Sequence, residues 1–298
     1  MLVALVILRL VIGFHFLGEG ITKFDGSFSS AGFLANAKGP LAPRFQAMVW
    51  DAEGRHRLGM GYDDDNRLVI DVKPTQEAWG SFRADVASHH RFDDKKKKES
   101  EEILKLYLAQ YDWYVKTNWD DILNYFKELE RRERQEQVAA NQEVASLRQQ
   151  GDMLASALRR DRAILLVGIE KMWSGLEHDL NNLAGDENSS RQGLALKKLG
   201  RQGLDSITMN KIIPCFDLVV GACLIVGLLV PVVSVAGALF LLTVVASQWP
   251  GAVGAAPVYY QVIEISGLVL LAMMSAGRYA GLDYFVNYIL RRRGKKKK

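Results

Sequence analysis

The chain has 298 residues, of which 24% are charged and 49% apolar, with a formal net charge of +4. That length allows one membrane bundle and one further domain. Much of the positive excess sits in the terminal run RRRGKKKK at 291–298, so the balance argues for no nucleic-acid partner.

Residues 2–22 form the first apolar run, about the length a helix needs to cross a bilayer (~20 residues). It has no basic leading region and no small-x-small cleavage site, so an uncleaved span is expected rather than a signal peptide. Residues 46–72 then alternate between apolar and polar, with a turn signal at Ala52-Glu53-Gly54. They predict a small β-hairpin or two short strands. Beyond Thr75 the apolar residues fall at helical spacing. One series is Ile103, Tyr107, Tyr111, Tyr114, Ile122, Phe126 and Leu129. The other is Leu147, Leu154, Leu158, Leu165, Met172, Leu176, Leu180 and Leu183. Both predict long amphipathic helices folded back into an antiparallel hairpin or bundle. A parallel coiled coil between two chains is the alternative, disfavoured by Gly151 and Asp161 at seam positions.

A continuous helix over 212–248 would be roughly 55 Å long, nearly twice the hydrocarbon thickness. Pro231 is expected to break it into a hairpin of two spans. Cys215 and Cys223 lie here, about 12 Å apart along a helix, too far for a disulfide. They form neither a disulfide framework nor a metal site. A fourth span is expected from Val258 to about Ala276. Four spans put both termini on one side, and the basic tail assigns that side to the cytoplasm.

The expected fold is therefore an all-α membrane protein of the cytoplasmic membrane. The first transmembrane helix occupies 1–24, and transmembrane helices 2–4 occupy 212–290. A mostly helical extracytoplasmic domain with a small β element at its start occupies 25–211, and a cytoplasmic tail occupies 291–298.

The spans carry ionisable groups, which are costly in lipid and therefore face the bundle interior with partners. At roughly 100° per residue, Gly13, Phe16, Gly20 and Lys23 all lie within about 40° of Arg9 on the first helix. Small residues there let another helix approach closely. His15 and Glu19 form an i, i+4 pair on the flank of that face. Asp217, Gln261 and Glu264 come from later spans at a depth similar to Glu19. Arg9 lies about 10 Å deeper by helix rise. These six residues are the expected intramembrane polar cluster, either a ligand site or a helix lock. In it Arg9 is expected to pair with Glu264 first, or with Asp217 or Glu19.

The set Leu8-Arg9-Leu10, Gly13, Phe16, Gly20 and Lys23 resembles the first-helix pattern of the DoxX family of small four-helix membrane proteins. Asp217 with Gly221 and Gly227 looks like that family's second helix. Glu264 followed by GRYAGLD at 277–283 is similar to its last. The resemblance covers 2–24 and 212–290, with 25–211 as a large insertion between the first and second spans. It implies an accessory or quinone-interacting subunit of a membrane redox system. Quinone is then the implied ligand, His15 its proton donor or acceptor, and Trp249, Tyr259 and Tyr260 its pocket walls. Interfacial anchoring is the ordinary role for those three aromatic residues.

Other motifs carry less. Asp63-Asp64-Asp65-Asn66 lacks the spacing of a calcium loop and reads as a solvated turn. His89-His90 beside Asp93-Asp94 is a poor metal set, because adjacent histidines on a helix are expected to point apart. Lys95–Lys98 reads as a solvated helix start. Asn188-Ser189-Ser190 matches a glycosylation acceptor. There is no phosphate loop, zinc signature or nucleophile elbow, hence no catalytic motif. The competing reading is a non-catalytic anchor or assembly protein, whose extracytoplasmic helices bind a protein partner. A transporter is disfavoured by the lack of an inverted repeat.

Overall fold

The computed structural model describes residues 2–24, 26, 28–136, 144–185 and 192–285. The chain divides into two compact units, one made of Met1–Ala52 with Gln202–Lys298, the other of Glu53–Arg201. Both are mainly helical, and one two-stranded sheet is present among the described residues. The glycosylation-type triplet at 188–190 and the tail at 291–298 lie outside the described residues.

The first unit is built on α1 (Leu2–Phe24), and two short helices follow, α2 (Ser30–Ala35) and α3 (Ala42–Ala47). In the second unit β1 (Met60–Tyr62) pairs antiparallel with β2 (Leu68–Ile70), Gly61 opposite Val69. The hairpin turns at Asp63–Arg67 rather than at Ala52-Glu53-Gly54. The Asp63 carboxylate accepts from the backbone N–H groups of Asp65 (3.1 Å) and Arg67 (2.7 Å), and Asn66 takes the left-handed conformation (φ 58°). Asp and Asn support such a turn by bonding their own backbone, which is the structural use of the acidic cluster.

α4 (Lys73–His89), α5 (Asp94–Thr117), α6 (Trp119–Glu136) and α7 (Ala145–Asn182) complete the second unit. α5 starts where the Asp93 side chain caps the Lys96 N–H at 2.7 Å, so the lysine run is the first turn of a helix. α5 and α6 follow one another along α7 and run antiparallel to it. Gly168 and Gly175 of α7 receive the rings of Tyr114 and Tyr107. Tyr114 Oη donates to the Leu165 carbonyl (2.8 Å), and Lys96 Nζ donates to that of Ala184 (2.9 Å). Tyr107 Oη donates to Asp179 (2.7 Å). Burial and the Asp179 carboxylate push the Tyr107 hydroxyl up to about 12, so it stays a neutral donor at any physiological pH.

The core of this unit contains Trp79, Tyr111, Ile122, Phe126, Leu129, Leu158, Leu165, Leu176 and Leu180, most of them from the two helical series in the sequence. Leu147 is an exception and is exposed. The rings of His89 and His90 do not point apart: they meet edge-on with centroids 4.7 Å apart, because His90 already lies beyond the last helical turn.

The rest of the first unit is α8 (Ser206–Val226), α9 (Val230–Ser247) and α10 (Tyr259–Met273), followed by a 3-10 turn at Ala276–Arg278. α1, α8 and α9 are long and apolar enough to cross a membrane. α10 is apolar but has 15 residues. That is roughly 22 Å of helix against about 30 Å of hydrocarbon. It stops early because Ser275 turns left-handed (φ 47°).

α8 begins at Ser206, six residues ahead of the expected span, because Asp205 caps the Thr208 N–H at 2.9 Å. Its end is set by Gly227 (φ 69°), not by Pro231. The Leu228 N–H closes back on the Cys223 carbonyl at 2.9 Å, and Pro231 sits in the first turn of α9. Glycine stops one helix and proline starts the next, each where its backbone restriction costs least.

The helices of this unit share a core of Leu5, Ile12, Phe16, Val220, Leu224, Ala238, Leu241, Leu268 and Leu271. At one end α2 and α3 are tied to it. Ser30 bonds Asn210, Lys38 pairs with Gln248, and the Ser206 N–H donates to the Met48 carbonyl at 2.7 Å.

Candidate functional site

α1 and α8 run antiparallel at unusually short range. A Cβ on Gly221 would lie 2.5 Å from the Leu17 nitrogen, and one on Gly20 2.8 Å from that of Leu218. The glycines beside Arg9 thus do what their spacing predicts: they let backbone meet backbone. With the helices this close, the ionisable groups fall into two separate sets.

Arg9 forms the first set and is 2% exposed. It pairs with none of the three expected acids. Its guanidinium donates to the carbonyls of Ala276 (3.3 Å), Tyr279 (3.2 Å) and Ala280 (3.0 Å). The acid that acts electrostatically on it is Asp283. Asp283 in turn accepts from the N–H groups of Leu229 (2.6 Å) and Val230 (2.9 Å) and so caps the start of α9. Its own N–H donates to the Gly227 carbonyl at 2.9 Å.

The physical reason is reach and supply. A segment that leaves α10 after Met273 exposes carbonyls with no helical partner, and a buried guanidinium carries five donors in a fixed fork. Gly227, Gly277 and Gly281 keep the space clear. A Cβ on Gly281 would meet Arg9 Nη1 at 2.7 Å, and one on Gly277 would strike the Asp283 carboxylate. GRYAGLD is the other half of the Arg9 lock. The sequence showed Asp283 only as the last residue of GRYAGLD and not as a member of the polar cluster, although α9 has no capping side chain at Leu229, which leaves its N–H groups wanting an acceptor.

The second set runs along one flank of α1. His15 Nδ1 lies 2.8 Å from Glu264 Oε1, and His15 Nε2 lies 4.0 Å from Glu19 Oε1. Lys23 Nζ bridges Glu19 Oε2 (3.0 Å) and Asp217 Oδ2 (2.7 Å). His15, Glu19, Asp217 and Glu264 are thus gathered into one array. Lys23 is its fifth member, detectable in the sequence as the i+4 neighbour of Glu19. Asp217 and Glu264 are buried, whereas the side chains of His15 and Glu19 are 45% and 48% exposed. The array therefore opens sideways from the helix bundle.

Gln261 lies one turn before Glu264 and is 7% exposed. Its Oε1 has no hydrogen-bond partner among the described residues. α1 and α10 approach with Ile12 at Gly267 and His15 at Glu264. Continued by one turn, that antiparallel register brings Gln261 level with Gly18 and Glu19. Gly18 itself is exposed on the outer face of α1, where a Cβ would meet nothing within 4 Å.

Tyr259 and Tyr260 are exposed, and Trp249 packs its Cβ against Gly39. Among the described residues no group of three or more His, Cys, Asp or Glu could hold a metal ion. Chemically the flank offers a histidine backed by a carboxylate, an unsatisfied amide and a half-exposed acid, enough to bind a polar head group and exchange a proton with it. Comparison with protein-family models, with curated proteins and with solved structures finds no match to this chain.

Proposed function

We propose that the chain is a DoxX-like four-span protein of the cytoplasmic membrane and a quinone-interacting accessory subunit of a membrane redox system. The observation that carries this reading is the His15–Glu264 pair, open on the flank of α1. Glu264 holds the imidazole at Nδ1 and Glu19 lies 4.0 Å from Nε2, and the half-exposed ring exchanges a proton with a ring oxygen of the quinone. Arg9 and Asp217 drop out of the binding role, because carbonyls occupy the first and Lys23 the second.

The test is equilibrium binding of a short-tailed quinone to the full chain in lipid nanodiscs. Saturable binding is expected, weakened about tenfold by His15→Ala, the loss of one hydrogen bond to a charged-group pair. Binding indifferent to that change removes the reading.

α10 serves as the fourth span in this scheme. Gln261, Glu264, Leu268 and Leu271 are all buried, and residues 274–278 extend it toward Arg9. Both termini then face the cytoplasm, and residues 53–201 lie outside. In a background with Cys215 and Cys223 replaced by serine, single cysteines at Lys95 and Val253, both well exposed, should react with an impermeant maleimide in spheroplasts. One at Lys295 should react only after lysis. The opposite pattern reverses the topology.

One observation favours the second reading, a non-catalytic anchor that binds a protein partner. Leu106 and Trp113 on α5, and Ile164 and Val167 on α7, are large apolar side chains left exposed. A protein partner that co-purifies with the wild-type chain and is lost on Trp113→Glu would support it.

A further inference from the structure

Residues 28–50 differ in composition from the charge-rich sequence that follows them. Lys38 and Arg44 are their only charged residues, both cationic, and Phe28, Phe33, Phe45 and Trp50 stand among them. The segment 249–258, between α9 and α10, has no charged residue.

Both segments are fastened at the same ends of the apolar helices. α9 has 18 residues, roughly 27 Å of rise against about 30 Å of hydrocarbon. A span of that length delivers Ser247 and Gln248 at the edge of the hydrocarbon. The chain at Lys38 is held there: its N–H donates to the Ser247 carbonyl at 2.7 Å, and the Trp249 N–H donates to its carbonyl at 3.1 Å. α2 is held by α8, where the Ser30 N–H donates to Asn210 Oδ1 at 2.7 Å. Asn210 lies about 24 Å of helix rise from Val226, at the other end of α8. Beyond α3, the Met48 carbonyl accepts from the N–H of Ser206, the first residue of α8, at 2.7 Å. α2 and α3 thus lie at the level where the apolar helices end.

Their inner side is packed, with Leu34 and Ala37 buried. Their outer side is mixed: Phe33 and Leu41 are exposed beside Ser29, Asn36 and Arg44. Trp249, Val253 and Tyr259 are exposed on the second segment. Hydrocarbon would leave Asn36 and Arg44 without partners, and water would hydrate the large apolar side chains at a cost. The headgroup layer between them suits both kinds, because aromatic rings settle there and long cationic side chains reach phosphate.

We infer that α2, α3 and the 249–258 segment form a lipid-binding seat in the headgroup layer of one leaflet, with Phe33, Leu41 and Val253 against the acyl chains. The inference rests on the reading of α1, α8 and α9 as membrane spans and adds a membrane contact outside them.

The test is depth-dependent quenching of the full chain in phosphatidylcholine nanodiscs, with Cys215 and Cys223 replaced by serine. Bimane is attached to single cysteines at Phe33, Leu41 and Leu239, the last of them at the middle of α9. All three positions are exposed, so the labels displace no core side chain. The lipid carries a nitroxide either beside the headgroup or near the chain end, and iodide probes from the water. At Phe33 and Leu41 the shallow nitroxide is expected to remove more emission than the deep one, and iodide less than it removes from free dye. At Leu239 the deep nitroxide is expected to dominate.

Full iodide access without lipid quenching at Phe33 and Leu41, while Leu239 responds, overturns the inference and leaves the spans standing. Dominant deep quenching at those two positions also overturns it, because they would then lie in hydrocarbon. No lipid quenching at Leu239 overturns the span reading and the inference together.

Discussion

Arg9→Leu should cost the helix bundle about 3 kcal/mol or more, the range for removing one side of a buried charged interaction. The substitution removes a donor from three carbonyls at once, those of Ala276, Tyr279 and Ala280, of which Ala276 keeps the Tyr279 N–H at 3.3 Å, and it removes the positive charge acting on Asp283. Arg9→Lys should recover only part of the loss, because one ammonium cannot span three carbonyls as the planar fork does.

The choice of partner is checked by double-mutant cycles in a reversible unfolding assay. Arg9→Leu combined with Asp283→Asn should couple by about 1 kcal/mol or more, since the two groups brace the same turn. Arg9→Leu combined with Glu264→Gln should be additive to within about 0.5 kcal/mol, the behaviour of sites without shared partners. Strong coupling to Glu264 would return Arg9 to the flank array and dissolve the separation into two sets.

Gly221→Ala is the second large effect. The added methyl would sit 2.5 Å from the Leu17 nitrogen and 2.8 Å from the Gly13 carbonyl oxygen, both backbone atoms of α1. Overpacking against side chains costs about 1–3 kcal/mol because rotamers can give. Here nothing can give except the separation of two helices, so the upper end, about 3 kcal/mol, is expected. Gly18→Ala is the internal control. Its Cβ meets nothing within 4 Å, so it should be neutral or stabilise by up to about 1 kcal/mol through helix propensity. Similar midpoints for the two variants would mean that α1 and α8 do not pack through their glycines.

Lys23 illustrates how far a single helix can be read. Its i+4 spacing from Glu19 is local and legible, but Asp217, its shorter contact, arrives almost two hundred residues later. Periodicity of 3.6 located the apolar faces of α1 and of the two long helical series in the second unit, because burial on one side of a helix imposes a local repeat. Length and hydropathy likewise marked α1, α8 and α9 as long enough to cross a bilayer.

What the sequence by itself determined is therefore local: helical class, apolar faces, the glycine seam and the presence of costly charges in apolar helices. The partners of those charges were decided by tertiary structure. Asp63-Asp64-Asp65-Asn66 became the hairpin turn only once β1 and β2 were in register, and Ala52-Glu53-Gly54 had offered an equally good local signal. Arg9 looked destined for a carboxylate because pairing rules weigh formal charge. It found carbonyls instead, because α10 ends at Met273 and the chain turns beneath it, freeing backbone acceptors that no sequence pattern displays. A charge in an apolar helix announces that a partner exists. Only the packing of distant segments says which one, because the energy depends on distances that chain-local spacing does not contain.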